Sequence, residues 1–257
     1  MNKDSGIKTL VTTLALSAIA SHAVAERHFS ESFDYAPGST IVGQNGGSGF
    51  AAAWSAGGNF NNDFVTNGGL PLAGHAGVGN ALSSTSQTQA SPWRELDNVY
   101  GASGTTQWAS FLIRQDQPAP SSPNQFGGIV FGNLFVGTGA GFSTWGMNTA
   151  GSPTGVESGV PVVQGETVHL VIKLTYQPGN DIVELFVNPA AGVEPTVAQA
   201  TKTDLNVTFN AIGFGHRDSN WTIDEIRYGD TYADVIPEPN SLALMALGGI
   251  LARRRRR

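Results

Sequence analysis

The sequence predicts an all-β body, an antiparallel β-sandwich of the jelly-roll kind, set between a secretory leader and a short apolar, basic tail. Three observations carry this expectation. Short apolar runs alternate with a period of two, the pattern of strands that bury one face. Gly, Pro, Asn and Asp interrupt these runs at close intervals. Between leader and tail, no convincing run shows the 3.6-residue period of an amphipathic helix. Many short strands, glycine-rich turns and no long helix favour two stacked sheets.

The elements follow in chain order. Residues 1–25 open with Lys3 and Lys8, continue with an apolar stretch from Leu10 to Ala20, and close with Ala23-Val24-Ala25. A basic start, a short apolar middle and small residues at minus three and minus one make a signal peptide, with Ala23 and Ala25 defining cleavage after Ala25. Its 11 apolar-region residues fall short of the ~20 that span a bilayer. Residues 26–234 form the body. Candidate strands are His28–Tyr35, Gln107–Arg114, Phe126–Phe131, Leu134–Val136, Phe142–Met147, Phe209–Phe214 and Trp221–Tyr228. The clearest signal is a hairpin. Val168, Leu170, Ile172, Leu174 and Tyr176 share one parity, with Val171 the lone apolar residue on the other. Gln177-Pro178-Gly179-Asn180 supplies turn chemistry, and Val183, Leu185 and Val187 line the return strand. Gly-rich stretches such as Gly43–Gly49 are loops, because a phosphate cradle needs a following helix.

Charge narrows the partners. Between residues 26 and 236 there are seven Lys and Arg against eighteen Asp and Glu, a formal charge of −11, which the whole-chain value of −6 conceals. Such a body repels nucleic acid and anionic membrane surfaces. The chain has no cysteine, so thiol catalysis, thiolate metal sites and disulfides are excluded. His28, His75 and His169 show no ligand spacing. His216-Arg217-Asp218 reads as a surface loop, and no Gly-x-Ser-x-Gly motif supplies a nucleophile. Among the tryptophans, Trp108 and Trp221 lie in alternating strands and belong to packing. Trp54, Trp93 and Trp145 sit beside Gly or Pro or near turns and are candidates for a glycan-binding platform.

The tail, residues 235–257, holds Pro237-Glu238-Pro239, an apolar run from Leu242 to Ala252 and the cluster Arg253–Arg257. As a helix the run reaches roughly 16 Å, against a hydrocarbon core of ~30 Å. It is a poor permanent anchor, and its position behind an acidic exported body argues against nucleic acid as the target of the arginines. The order of elements resembles the PEP-CTERM sorting signal. That resemblance implies a sorting helix recognised by an exosortase-type membrane protease in a Gram-negative cell that makes exopolysaccharide. Pro237, Glu238, Pro239, Arg253, Arg254 and Arg255 would carry the signal.

Two further segments carry a resemblance. ESFDYAPGSTIVGQNGGSGFAAAWS near the start and WTIDEIRYGDTYADVIPEP near the end look like the first and last parts of a laminin-G-like, concanavalin-like jelly-roll group. The resemblance implies two antiparallel sheets with paired terminal strands. It also implies a possible calcium site where Asp34 would approach Asp224 or Glu225. Related sandwiches include glycoside hydrolases with Glu-x-Asp-x-(x)-Glu carboxylates. Here Glu95 and Asp97 share a face, but Asn98, Val99 and Tyr100 stand where the third carboxylate belongs, so no catalytic residue is assigned. Residues 93–100 are expected to form an edge strand with solvated charges near Arg94. The resulting expectation is a non-enzymatic, exported cell-surface or matrix protein, adhesive or glycan-binding. The alternatives are a polysaccharide-active hydrolase or lyase and a purely structural matrix protein.

Overall fold

A computed structural model of the chain describes residues 27–57, 63–72, 79–84, 89–117 and 124–236. The signal peptide with Ala23 and Ala25, the sorting residues from Pro237 onward and His75 lie outside the described residues.

Fourteen strands and one helical turn are described: β1 (Arg27–Glu31), β2 (Asp63–Val65), β3 (Leu82–Ser84), β4 (Trp93–Tyr100), β5 (Thr106–Gln115), β6 (Phe126–Phe131), β7 (Leu134–Thr138), β8 (Thr144–Thr149), β9 (Gly155–Pro161), β10 (Thr167–Thr175), β11 (Ile182–Val187), β12 (Ala200–Lys202), β13 (Phe209–Arg217), β14 (Trp221–Gly229) and α1 (Tyr232–Val235). They form two antiparallel sheets. One has eight strands in the order β12-β11-β10-β5-β14-β3-β2, with β1 also paired to β14. The other has six in the order β4-β13-β6-β7-β8-β9. The first and last strands therefore lie side by side, from Arg27 opposite Gly229 to Glu31 opposite Ile226.

The main core lies between the sheets. From the six-stranded sheet come Ile129, Phe131, Leu134, Val136, Trp145, Met147, Ile212 and Phe214. They face Phe111, Ile113, Leu170, Ile172, Leu174, Ile223 and Tyr228 of the other. The hairpin of β10 and β11 keeps the expected parity, with Leu170 opposite Val187 and Leu174 opposite Val183. In β14 the inward parity changes between Ile223 and Ile226. A bulge opposite β5 absorbs the extra residue, and Glu225 adopts φ 51° there.

Val171, the residue out of pattern, belongs to a second apolar cluster on the outer face of the eight-stranded sheet. There Trp108, Val171 and Phe186 are covered by Tyr232, Val235 and Ile236. Ser110 Oγ donates to the Val235 carbonyl (2.5 Å), Arg227 Nη1 to the Ile236 carbonyl (3.0 Å) and Tyr232 Oη to the Ala190 carbonyl (2.9 Å). Thus Val235 and Ile236, assigned from sequence to the tail, pack as part of the body. A third cluster, Leu70, Ala81 and Leu112 with Leu72, covers another part of the same face.

Candidate functional site

Among the described residues, the opposite outer face carries no covering segment and forms a groove. In the six-stranded sheet Ile129, Phe131, Leu134, Val136, Trp145, Met147, Ile212 and Phe214 turn inward. Alternation then turns Phe126, Val130, Phe135, Asn148, Gly215 and Arg217 outward. These six residues line a groove of about 510 Å³, whose rim is formed by Gln89, Ser91, Asn124 and the turn at 150–153. Phe126 and Phe135 meet edge to face, 5.8 Å between centroids.

Glycine shapes this surface. Gly215 pairs with Gly128, Gly128 with Gly137, and Gly137 with Gly146, a row without side chains across four strands. At Gly128 and Gly137 an added Cβ would strike the neighbouring strand's backbone oxygen, at 2.1 Å in each case, so close backbone approach requires glycine there. Gly215 differs. A Cβ there would meet Phe135, Phe126 and Val130 at ordinary contact distances of 3.5–3.6 Å. Its missing side chain is groove floor.

The polar groups of the groove are amides, hydroxyls and one cation. Asn148 is only 5% exposed. Its Nδ2 donates to the Ser152 carbonyl (2.9 Å), and its Oδ1 has no hydrogen-bond partner among the described residues. A buried acceptor left open costs about 1–3 kcal/mol. Arg217 is the only charged residue among the described lining residues, and its Nε lies 3.5 Å from Asp218 Oδ2. Among those lining residues there is no Asp or Glu.

The residues singled out from sequence fall in different places. Trp93 is exposed (37%), with its Nε1 donating to the Ala56 carbonyl. Trp54 and Trp145 are enclosed, which corrects their reading as surface platform. Trp54 folds inward because its Nε1 finds Glu31 Oε2 at 3.0 Å. Trp145 shares the inward parity of Met147 and packs on Trp221; the adjoining Gly146 is a strand glycine, not a surface turn. Trp108 and Trp221 are core residues, as their alternation implied.

Glu95 and Asp97 are exposed on β4, at the edge of its sheet. Arg94 turns away from them. It is 1% exposed and reaches Glu31, also 1% exposed, at 2.6 Å. The remaining demands of this pair are met by Phe33 N, Tyr35 Oη and Trp54 Nε1 on Glu31, and by Asn45 Oδ1 and the Ala52 carbonyl on Arg94. Burial and the adjacent Glu31 push the Tyr35 phenol up to about 12.

His216 and Arg217 end β13 and are not a surface loop. Parity with Phe214 buries His216, whose Nε2 lies 2.8 Å from Asp63 Oδ1. Asp34, Asp224 and Glu225 do not gather. Among the described residues, no three His, Asp or Glu side chains form a metal-ligand group. Asp34 is exposed, and Glu225 pairs with Arg227 at 2.6 Å. Asp224 accepts from the backbone amides of Leu70 (2.8 Å) and Glu225 (2.7 Å), and burial raises its pKa to about 8. Both oxygens of Asp224 are thus engaged by backbone amides rather than turned toward Asp34 or Glu225.

Sequence reasoning missed Phe126, Phe135, Asn148, Gly215 and Arg217. The available signal was FGGIVFGNLFV, where apolar residues occupy both parities and glycines fall in strand positions.

Residues 235–257 match the PEP-CTERM protein-sorting motif. No curated protein matches the chain. Three solved structures illustrate its likeness to others. Domain 4 of AbnA, a GH43 extracellular arabinanase from Geobacillus stearothermophilus in complex with arabinotriose, is 16% identical over 80% of this chain and 93% of that one, with a TM-score of 0.47. A protein of unknown function from Shewanella oneidensis MR-1 is 12% identical over 92% and 100%, at 0.46. The Emp47p carbohydrate recognition domain is 7% identical over 79% and 97%, at 0.40. The chain is a two-sheet β-sandwich followed by a PEP-CTERM motif, which marks it for exosortase-dependent export and sorting to the cell surface.

Proposed function

We propose that the body is a non-catalytic glycan-binding module, displayed on the outer surface or in the matrix of a Gram-negative cell, and that the groove on the six-stranded sheet is its binding site. The observation that carries this reading is the groove's chemistry: two edge-to-face phenylalanines, several amides and hydroxyls, and no carboxylate among the described lining residues. Sugar rings stack apolar faces on aromatics, while their hydroxyls pair with amides and hydroxyls such as those of Gln89, Ser91 and Ser152. In most glycoside hydrolases, retention or inversion uses two flanking carboxyl groups, at ~5–5.5 Å or ~6.5–9.5 Å. Glu95 and Asp97, the nearest sequence candidates, lie outside the groove lining.

The test is a glycan array probed with the purified chain, with calcium and with chelator, beside Gly215→Val. A Cβ at this position meets only ordinary contacts and the valine methyls would occupy the floor, so the variant, with its fold checked by circular dichroism, should lose retention. Retention of no glycan, or release of reducing ends that Glu95→Gln abolishes, sinks the reading.

A further inference from the structure

One row of cross-strand partners runs the full width of the open sheet. Trp93 on β4 pairs with Gly213 on β13, Gly213 with Val130 on β6, Val130 with Phe135 on β7, Phe135 with Asn148 on β8, and Asn148 with Gly155 on β9. Directly paired residues in an antiparallel sheet share a face, so this row is a single line on the outer surface. Val130, Phe135 and Asn148 are groove residues. Trp93 stands two strands beyond Val130, about 10 Å away at ~4.8 Å per strand.

Gly213 lies between them. A Cβ on Gly213 would come within 3.8 Å of both Trp93 Cβ and Val130 Cβ, so its absence leaves a low saddle between tryptophan and groove. The indole is already held. Its Nε1 donates to the Ala56 carbonyl, and Gly57 sits so close that an added Cβ there would be 3.1 Å from Trp93 Cδ1. A fixed, 37% exposed indole loses little side-chain freedom when a ring stacks on it.

We propose that Trp93 is an outlying subsite and that the ligand is an internal stretch of a linear polysaccharide lying across the strands. On this arrangement sugar units contact Asn148 and Phe135 in the groove, pass over Gly213 and stack on Trp93. A single sugar or a chain end would fill the groove alone. The proposal rests on the glycan-binding reading and adds the length and direction of the bound chain.

The experiment uses the full chain and oligosaccharides of one to eight units, cut from the polysaccharide that the array retains best. Affinity should rise in two stages with length, the second stage adding roughly tenfold, the worth of one aromatic stacking contact. Trp93→Ala should remove the second stage and Trp93→Phe should keep most of it. Gly213→Val, whose Cβ meets only ordinary contacts of 3.5–3.8 Å, should raise a ridge and remove it as well. The longest oligosaccharide should also shield Trp93 from oxidation by N-bromosuccinimide. Affinity that saturates at the shortest bound oligosaccharide, or a second stage that survives Trp93→Ala, overturns this proposal and leaves the groove reading standing. An array that retains nothing overturns both.

Discussion

The two outer faces of the sandwich have opposite fates. Each carries aromatic residues on the parity that points away from the core. On the eight-stranded sheet Trp108, Val171 and Phe186 are covered by the chain's own Tyr232, Val235 and Ile236. On the six-stranded sheet Phe126 and Phe135 are left lining a groove. The difference teaches that off-parity apolar residues signal a cover without naming it. The cover can come from the same chain, and then it contributes to stability. On the other face no cover is found among the described residues, and that surface is the one a ligand could reach.

The sharpest break of this comparison is Trp108→Ala. Emptying the centre of the covered cluster should cost about 3–5 kcal/mol, read as a drop in the urea-unfolding midpoint, with glycan retention unchanged. A cost under ~1 kcal/mol would mean that the 232–236 segment does not seal this face.

Asp224 tests how dry the covered face is. Burial raises its pKa from 3.8 to about 8. The folded state then holds a proton that the unfolded chain releases. The Asp224 contribution is fully present below about pH 4 and declines as pH rises through about 8. Asp224→Asn should flatten that part of the stability profile, measured by unfolding between pH 4 and 9. An unchanged slope would show that water reaches the carboxyl.

The smallest stability effect belongs to the open face. Phe135→Ala should cost no more than about 3 kcal/mol, the low end for a phenylalanine truncation, because its ring, though only 6% exposed, is bounded by groove on one side. It should nevertheless abolish glycan retention. The reverse outcome, a large loss of stability with retention intact, would make the two faces equivalent and remove the distinction.

The hairpin at 167–187 was legible because its two strands alternate cleanly around a Pro-Gly turn. The strands around β6, β7, β8 and β14 were legible to within a few residues. The short strands β2, β3 and β12 were not, because three residues show no period. Strand β9 was missed because valines, glycines and a glutamate share it without a dominant face. Trp54 was misplaced because its partner Glu31 lies 23 residues away, and Trp145 because of the glycine beside it. A neighbouring glycine marks a turn in most contexts, but here Gly146 is a strand residue where backbones approach closely. His216 was assigned to a loop because a polar triplet looks solvated. Its burial depends on Asp63, a residue 153 positions earlier.

By itself the sequence determined the fold class, the acidic exported body and the sorting motif. These depend on local quantities: residue period, charge count and the order of short segments. Only the tertiary structure decided which faces are covered, that Glu31 meets Arg94, and that Trp93, Gly213, Val130, Phe135 and Asn148 form one line. Those relations depend on strand order and register. Strand order and register are fixed when two whole sheets bury their faces together, and no local window of the chain contains that information.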